Sequence, residues 1–421
     1  MEPVERDLGE YRLLARLATG GQSEVFLAAR GGPHGFFRPV VIKAIPEHFK
    51  GRERLEALFY QEATISSRFS HPHVVTIHDA RRVDDEDFMV MDYIPGQTMA
   101  DLAQRAFSTG SGLSPEESIL MIIDACRGLE YVHRFEDVDR ELYQVVHCDI
   151  SPQNLMVTYS GLVRVFDFGI SQVLGVDGTL KSELVGGKFA YMSPEQSLGE
   201  AVDPRSDVFS LGVILHELVT GRRLFRRGER EEVLRAITSE EIPKPSTLRV
   251  GLPSGVDDAV LKALARDKEN RFENARHFRK ALEAILDQMA MSKEDIRTGL
   301  SEKISSLFDE ERQQIAKLIK KSRREMKGDT YPLRAISAEA QALESMLTEA
   351  NVEIDELASR AQRATEVANR LTEEVTRLQK QQRWFVAAIC GLSILAVAIA
   401  LTAYFAGDQV PSLLSEAVAE E

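Results

Sequence analysis

The pattern of hydrophobic and polar positions predicts short strands over the first part of the chain. Residues 11–30 form two apolar runs around a Gly-bearing turn, which is typical of a β-hairpin. The runs "PVVIKAIP" (39–46) and "DFMVMDYI" (87–94) predict further strands. Between them, "RERLEALFYQEATISSRF" (52–69) has the apolar spacing of a helix. The pattern therefore predicts a β-rich unit with one helix.

Helical patterning dominates from residue 114 to about residue 286. Ser114 is suited to cap a helix with Pro115 at its first position, and Glu117 completes a capping box. The segment "SDVFSLGVILHELVTG" (206–221) is apolar nearly all round, which predicts a buried helix. Amphipathic helices follow up to residue 286.

Beyond residue 286 the pattern changes twice. Residues 287–334 are polar and predict a helical linker, whose basic residues either contact anionic lipid headgroups or form a solvated helix face. Residues 335–382 carry apolar positions at alternating spacings of four and three, which favours a coiled coil. A homodimer through this coiled coil is expected. The alternative is a lone amphipathic helix that lies on the globular part.

A membrane-spanning helix is predicted over residues 384–406. This segment carries no charge and has aromatic residues at both ends. As a helix it would be about 34 Å long, against about 30 Å for the hydrocarbon core of a bilayer. Basic residues precede it and acidic residues follow it, so the positive-inside rule places everything before Trp384 in the cytoplasm. The prediction is a single-pass protein of the cytoplasmic (inner) membrane with a short extracytoplasmic tail, residues 407–421; a buried helix of a soluble protein is the alternative.

Composition narrows the function classes. Of the 421 residues, 43% are hydrophobic, and the formal net charge is -14. Nucleic acid is not an expected partner, because its binding normally requires a basic balance or a basic face. Cys126, Cys148 and Cys390 lie far apart without metal-binding spacing, so neither a disulfide framework nor a zinc site is predicted.

One group of residues suits phosphoryl transfer, which requires a phosphate cradle, a cation, metal ligands and a group that positions the acceptor. The candidate cradle is "LATGGQSEV" (17–25), where small residues allow backbone N–H groups to approach phosphate oxygens. Lys43, on the next apolar strand, supplies a cation, and Glu62 on the following helix can pair with it. Each of these features is common by itself.

The segments "HCDISPQN" (147–154) and "DFG" (167–169) supply the remaining groups. Asp167 and Asn154 present oxygen atoms next to predicted strands, which suits Mg²⁺. Asp149 can accept a hydroxyl proton or orient the hydroxyl. A single Asp in a turn is usually a helix cap or an Asx-turn, but the ordered set of groups predicts a catalytic site.

With this ordered set the chain resembles the eukaryotic-type (Hanks-type) serine/threonine protein kinases of bacteria, in particular the membrane-anchored ones. The resemblance runs from about Tyr11 to Leu286 and includes "YMSPEQ" (191–196) besides the segments above. It implies an α+β fold, a bilobal protein kinase domain with a small β-rich N-lobe (11–95) and a helical C-lobe (96–286). The linker, the coiled coil and one C-terminal transmembrane helix would follow this domain.

The resemblance also implies ATP and Mg²⁺ as cofactors and proteins as substrates. By it, Asp149 is the catalytic base and Lys43 binds the α- and β-phosphates. Asn154 and Asp167 would hold Mg²⁺. The nucleotide-binding residues would be Leu17, Ala18, Thr19, Gly20, Gly21, Gln22, Ser23, Val25, Lys43, Glu62, Met91, Asp92 and Ile94. Structural support would come from Glu195, Arg271 and Asp207.

The chain departs from the family pattern at positions that bear on activity. Ala18 and Ser23 stand where the glycine loop normally has glycine, which predicts weaker nucleotide binding. Cys148 stands where many members have an Arg that pairs with a phosphate on the activation segment, so activity is expected not to depend on that phosphate. Ser151 replaces the usual Lys, and we expect the Lys188 ammonium to take its place as a catalytic residue. The alternative for Lys188 is a surface lysine beside a turn.

Together these observations predict an ATP-dependent protein kinase that phosphorylates Ser and Thr hydroxyls at the cytoplasmic face of the membrane. The alternative, suggested by the replacements in the glycine loop and the catalytic segment, is a nucleotide-binding pseudokinase that acts as a membrane scaffold. Tyrosine as the acceptor and a small-molecule kinase on a related fold are weaker alternatives.

Overall fold

The amino-terminal part of the chain folds around one antiparallel sheet of six strands. The structure, a computed structural model, describes residues 2–20, 23–136, 145–168, 188–225, 228–289 and 291–326. The strands are β1 (Glu2–Leu8), β2 (Tyr11–Thr19), β3 (Glu24–Gly31), β4 (Phe37–Ala44), β5 (Ile77–Val83) and β6 (Glu86–Asp92). Their order in the sheet is β1-β2-β3-β4-β6-β5. The hairpin and the two further strands predicted from the sequence are confirmed.

Strand β1 precedes the region in which the apolar pattern predicts strands. Its sequence EPVERDL is mostly exposed, and Leu8 is its buried residue. It pairs antiparallel with β2, so backbone hydrogen bonds hold it without an apolar face of its own. The Arg6 guanidinium donates to both carboxylate oxygens of Glu86 at 2.8 Å, which joins β1 to the start of β6.

Helix α1 (Glu53–Ser66) confirms the helix predicted over 52–69. Its buried residues Phe59 and Ala63 share a hydrophobic cluster with Met89 of β6. This packing holds α1 beside the sheet, next to the strand that carries Lys43.

The carboxy-terminal lobe is helical, as predicted. Its helices are α2 (Met99–Ser108), α3 (Pro115–His133), α4 (Pro194–Leu198), α5 (Pro204–Thr220), α6 (Arg230–Ser239), α7 (Pro245–Leu248), α8 (Val256–Ala263) and α9 (Ala275–Leu286). The capping box of α3 is formed, with Glu117 N–H donating to Ser114 Oγ at 3.1 Å and Ser114 N–H donating to Glu117 Oε2 at 2.7 Å. In α5, a Cβ on Gly212 would lie 2.9 Å from Ala263 Cβ, so a glycine is needed for α5 and α8 to approach.

A second sheet places the catalytic segments. It consists of β7 (Gly96–Thr98), β8 (Leu155–Thr158) and β9 (Val163–Val165) in antiparallel pairing. Asn154 comes directly before β8, and Asp167 follows shortly after β9. The Phe166 N–H donates to the Asn154 carbonyl at 3.1 Å, so the two segments that bear the predicted metal ligands lie side by side.

Two helices follow α9. The first packs against the carboxy-terminal lobe, and the second packs against the amino-terminal lobe. They are α10 (Lys293–Leu307) and α11 (Asp309–Glu325), and we call residues 293–326 the helical extension. Ile296, Leu300 and Ile304 of α10 are buried in the same hydrophobic core as α2 and α3. The sequence pattern predicts a polar helical linker over 287–334; the structure shows its helices, and shows them packed on the folded lobes.

Helix α11 contacts the sheet of the amino-terminal lobe. Its residues Ile315 and Ile319 pack against a cluster that includes Leu14 of β2 and Leu27 of β3. At the polar edge of this contact, Lys321 Nζ donates to Glu5 Oε1 of β1 at 3.0 Å. The helical extension therefore connects the outer surfaces of the two lobes.

The predictions for the rest of the chain are not tested by the structure. The coiled coil (335–382), the transmembrane helix (384–406) and the tail (407–421) lie outside the described residues. Within the ranges that the structure describes, no helix is both long enough and apolar enough to cross a membrane.

Candidate active site

Asp207, near the start of the buried helix α5, holds the backbone of the catalytic segment. Its carboxylate accepts from the His147 N–H at 2.8 Å and from the Cys148 N–H at 2.9 Å. Nε2 of His133 lies 2.7 Å from the same carboxylate. These bonds hold the backbone of Cys148 in the left-handed region, at φ 62°, which residues other than glycine rarely adopt. The geometry is consistent with the supporting role that the resemblance implies for Asp207.

The His147 ring is buried and orders the segment from inside. Burial lowers the pKa of His147, so the ring is neutral at physiological pH. Nε2 lies 3.1 Å from the Phe166 carbonyl, which requires the proton to be on Nε2. Nδ1 is then an acceptor, and it lies 3.3 Å from the Asp149 N–H. One neutral imidazole thus links the Asp149 backbone to the segment that leads to Asp167.

Asp149 and Asn154, two of the predicted site residues, are hydrogen-bonded to each other. Nδ2 of Asn154 donates to Asp149 Oδ2 at 2.9 Å and to the Asp149 carbonyl at 2.8 Å. Because the amide nitrogen of Asn154 is used in this way, Oδ1 is the atom that this side chain could offer to a cation. Asn154 is buried, so its two bonds fix the rotamer of the predicted catalytic carboxylate.

Lys43, Glu62 and Asp167 form one cluster across the cleft. Lys43 Nζ donates to Glu62 Oε1 at 3.1 Å and Oε2 at 3.2 Å, and it also contacts Asp167 Oδ1. Burial alone would lower the pKa of Lys43, but the carboxylates of Asp167 and Glu62 outweigh it and raise this pKa. Burial raises the pKa of Glu62 to about 7, against the opposing charge of Lys43. The lysine therefore stays a fixed cation in the cleft.

Phe168, the residue that follows Asp167, is anchored by aromatic packing. Its ring is buried and lies 5.1 Å from the Phe69 ring and 4.6 Å from the His147 ring, measured between centroids. Asp167 itself has a positive φ of 62°. The aromatic packing of Phe168 therefore retains the backbone turn that directs Asp167 towards Lys43.

The donor set of Asp167 and Asn154 fits Mg²⁺. Among the described residues, no group of three or more His, Cys, Asp or Glu side chains could form a complete protein cage for a metal. Mg²⁺ does not need one, because it is usually held by one or two protein oxygens together with substrate phosphates and water. One carboxylate and one amide oxygen on adjacent segments match that requirement.

The predicted phosphate cradle lies on the turn between β2 and β3. Ala18 pairs with Val25 and Thr19 with Glu24 at the strand ends. The Gly20 N–H donates to the Ser23 carbonyl at 2.8 Å, which closes the turn. Leu17 precedes this turn in β2, with 37% of its surface exposed. Gly21 and Gln22, which complete the predicted cradle, lie outside the described residues.

The three residues predicted to contact adenine lie at and after the end of β6. Met91 pairs with Val41 of β4, and Asp92 with Val40. The Asp92 N–H is bonded to the Thr76 carbonyl at 3.0 Å, so any backbone contact with adenine must use the Asp92 carbonyl. Ile94 follows in the segment that connects the two lobes. Lys43 of β4 pairs with Met89, which lies two residues before Met91 on β6.

The supporting ion pair is formed below the catalytic segment. Arg271 donates to both carboxylate oxygens of Glu195 at 2.7 Å, and Ser206 Oγ donates to Oε1 at 2.5 Å. Burial alone would raise the pKa of Glu195, but the bonds from Arg271 and Ser206 hold it below the ordinary value. The pair joins α4 to the segment before α9.

The departures from the family pattern have distinct structural settings. Burial raises the pKa of the Cys148 thiol, so the side chain is neutral and cannot pair with a phosphate. Ser151 is buried, and its Oγ has no hydrogen-bond partner among the described residues. The Lys188 side chain, expected to compensate for Ser151, lies outside the described part of the structure. That compensation stays a prediction.

Two contacts near the site were not predicted from the sequence. The Gln196 Nε2 donates to the Cys148 carbonyl at 2.8 Å. Tyr191 Oη donates to Glu217 Oε2 at 2.9 Å, and Arg223 donates to the same oxygen at 2.8 Å. Gln196 and Cys148 are distant in sequence, as are Tyr191 and Glu217, so residue spacing gives no signal for these two contacts. Only the placement of Gln196 inside "YMSPEQ" pointed to this region.

Comparison with known proteins agrees with the geometry. The protein kinase domain family matches residues 11–309, which extends beyond residue 286 and includes α10. The tyrosine-protein kinase MasK of Myxococcus xanthus is 36% identical over 286 residues, covering 68% of this chain and 44% of that protein. The serine/threonine-protein kinase PknB of Mycobacterium tuberculosis is 32% identical over 275 residues, covering 64% of this chain and 42% of that protein. The matched region thus spans less than half the length of either relative.

Among solved structures, the kinase domain of Mycobacterium tuberculosis PknI aligns over 68% of this chain and 99% of that domain, with 23% identity and a TM-score of 0.49. The family match covers well over half of the chain, and the bilobal arrangement of a β-sheet lobe and a helical lobe is observed. The chain therefore belongs to the protein kinase family, among the bacterial Hanks-type kinases.

Proposed function

We propose that this chain transfers the γ-phosphoryl group of ATP to serine and threonine hydroxyls of proteins, at the cytoplasmic face of a membrane. The observation that carries the proposal is the convergence of Lys43, Asp149, Asn154 and Asp167 on one cleft, through the bonds described above. A chain that had lost catalysis would not be expected to retain all four groups. Positioning and electrostatic stabilisation are the main requirements of phosphoryl transfer, and these groups supply both.

Each residue has a role that its contacts support. Lys43, kept charged by its two carboxylate neighbours, would bind the α- and β-phosphates. Asn154 and Asp167 would hold Mg²⁺, which when bound neutralises charge on the phosphates. Asp149, whose rotamer Asn154 fixes, would accept a hydrogen bond from the acceptor hydroxyl and take its proton as the new bond forms.

Two observations favour tyrosine as a second candidate for the acceptor residue. Ser151 replaces the lysine expected of serine/threonine kinases. The relative MasK is described as a tyrosine-protein kinase, whereas PknB is described as a serine/threonine-protein kinase. Phosphoamino acid analysis of the labelled product separates the two proposals directly.

The charge usually supplied at position 151 would come from Lys188. Ser151 is buried, its Oγ has no hydrogen-bond partner among the described residues, and a serine carries no charge that could replace that of the lysine. An ammonium that reached this position would stabilise the transferred phosphoryl group. Lys188→Ala should then lower kcat on the order of a hundredfold or more with little change in the KM for ATP; full turnover would show that Lys188 is an ordinary surface residue.

The rival function is a nucleotide-binding scaffold without catalysis. The replacements Ala18, Ser23, Cys148 and Ser151 favour it, because each removes a feature of the family pattern. The test uses the full chain in detergent with Mg-ATP and a protein acceptor, beside Asp149→Asn. Transfer to serine and threonine at a rate about a hundredfold above the variant supports the kinase. Equal label in both supports the scaffold.

Location and assembly are proposed from the sequence. The predicted helix over 384–406 would anchor the chain in the cytoplasmic membrane, and the predicted coiled coil over 335–382 would join two copies. Membrane fractionation of the full chain tests the first proposal. Light scattering of the full chain in detergent, beside a variant lacking 335–382, tests the second.

A further inference from the structure

Gln196 connects helix α4 to the catalytic segment. It lies in the short helix α4, one residue after Glu195, and only 4% of its surface is exposed. Its Nε2 donates to the Cys148 carbonyl at 2.8 Å. Its Oε1 accepts from the Ser193 N–H at 3.0 Å, as part of the capping box of α4. The two ends of the amide therefore serve two different partners.

The Cys148 carbonyl belongs to the peptide group that leads into Asp149. The N–H of Cys148 is held by Asp207 at 2.9 Å, and its carbonyl is held by Gln196. Cys148 has a φ of 62°, a conformation that its side chain disfavours and that surrounding bonds must maintain. Because a peptide group is planar, fixing this carbonyl also fixes the direction of the Asp149 N–H.

We propose that Gln196 is a positioning residue that sets the orientation of Asp149 and couples it to the start of helix α4. This inference rests on the proposed kinase function. In family members with Arg at position 148, the resemblance assigns such coupling to a phosphate on the activation segment. The neutral, buried Cys148 thiol cannot make that contact, whereas the Gln196 bond uses only the backbone of residue 148.

The two atoms of the Gln196 amide have separable roles. Oε1 caps α4, which is a structural role, whereas Nε2 holds the Cys148 carbonyl. Gln196→Glu separates the two, because one carboxyl oxygen can still accept from the Ser193 N–H. The other oxygen faces the Cys148 carbonyl, where it can donate only when protonated. Burial and the nearby carboxylates of Asp207 and Asp149, which also act on Cys148, would raise the pKa of the introduced carboxyl above the ordinary value of about 4.3.

The experiment measures kcat and the KM for ATP against pH for the full chain, the Gln196→Glu variant and the control Gln104→Glu. Gln104 is exposed on α2, so its variant carries the same chemical change far from the catalytic segment. We expect kcat of Gln196→Glu to fall on the order of tenfold or more at neutral pH. The ratio of its kcat to that of the natural chain should recover as pH falls, since the protonated carboxyl restores the donor. The KM for ATP should not change.

Gln196→Met is the second variant, because it removes the donor and the cap at every pH. It should lose kcat without the recovery at low pH, and its loss should be the same across the range. A Gln196→Glu ratio that is flat with pH, or a loss in both variants that merely follows the unfolded fraction measured by circular dichroism, overturns the inference. If the natural chain shows no transfer above that of Asp149→Asn, the kinase proposal itself fails. This outcome is distinct, because it compares the natural chain with Asp149→Asn and not with the Gln196 variants.

Discussion

Arg297 in the helical extension forms a two-point ion pair with Asp124 in the centre of helix α3. Nη1 of Arg297 donates to Asp124 Oδ2 at 2.8 Å, and Nη2 donates to Oδ1 at 3.1 Å. The Asp124 side chain is completely buried, and Arg127 is its other cationic partner, at 3.1 Å. A buried carboxylate needs such partners to remain charged inside a protein. The extension is therefore part of the stable kinase fold.

Removing this ion pair should destabilise the kinase domain. Arg297→Ala removes two hydrogen bonds from the buried Asp124 carboxylate, which keeps Arg127 and the Val163 N–H as partners. We expect the free energy of unfolding to fall by about 2 kcal/mol. Urea unfolding followed by circular dichroism measures this change. Arg276→Ala is the matched control, since Arg276 is half exposed and lies 3.6 Å from Glu130; its cost should stay under about 0.5 kcal/mol. Equal stability of both variants would show that α10 rests on α3 without contributing to the fold.

Asn154 is expected to affect both the metal requirement and the rate. Asn154→Ala removes an amide oxygen proposed to bind Mg²⁺ and releases the Asp149 carboxylate from its bond at 2.9 Å. The Mg²⁺ concentration for half-maximal activity should rise, and kcat should fall on the order of a hundredfold. Activity measured against total Mg²⁺ gives both quantities. An unchanged Mg²⁺ dependence with only a lower kcat would assign Asn154 to Asp149 alone.

Asp203, the N-cap of α5, should contribute stability that acid removes. Its carboxylate accepts from the Arg205 N–H at 2.9 Å and pairs with the Arg205 and Lys268 side chains. Burial alone would raise its pKa, but these bonds lower it to about 2 from 3.8. Because the folded pKa is depressed, the contribution is complete above about 3.8 and is lost as pH falls towards about 2.

The comparison of the natural chain with Asp203→Asn measures this contribution, since Asn keeps the cap but not the charge. After allowance for solvent screening of this partly exposed group, we expect a difference of about 1 kcal/mol near neutral pH. Urea unfolding at a series of pH values should show the difference shrinking on acidification below the ordinary pKa of an aspartate. A difference that is constant with pH would mean that the capping geometry, not the ion pairs, is what Asn disturbs.

Activation-segment phosphorylation should not be required for activity. The acceptors available in the segment, Ser171, Thr179 and Ser182, lie outside the described residues, but the neutral Cys148 removes the cation that such a phosphate would need. The triple variant with Ala at these positions should retain kcat within about threefold of the natural chain. Steady-state transfer to a protein acceptor measures this. Collapse of kcat would instead show that another cation reads a phosphate in this segment.

Much of the fold follows from short-range patterns. The hairpin of β2 and β3, the buried α5 and the capping box of α3 are each encoded by residues close together in the sequence, and the structure has all three. The catalytic cluster could be predicted because its groups occur in a fixed order. The structure bonds Lys43 to Glu62 and Asp167, and it bonds Asn154 to Asp149. That these groups are catalytic stays a prediction.

What could not be predicted depends on partners distant in the chain. Strand β1 is mostly charged and is held by backbone pairing with β2. The spacing of apolar residues gives no indication of such pairing. The sequences of α10 and α11 resemble those of solvated helices because their buried faces are narrow. Nothing in the sequence distinguishes Arg297 from a surface arginine, because its partner Asp124 is distant in the chain. The bond from Gln196 to the Cys148 carbonyl involves no side chain at position 148, so the identity of that residue gives no hint of it.

The central proposal is that Asp167 and Asn154 would hold a magnesium ion together with a bound nucleotide. A crystal structure of the full chain, from crystals soaked with Mg²⁺ and a nonhydrolysable ATP analogue, tests it most directly. We expect Asp167 and Asn154 oxygens at about 2.1 Å from the ion, with Lys43 on the α- and β-phosphates. A cleft that excludes the nucleotide, or an ion bound without either side chain, would contradict the account.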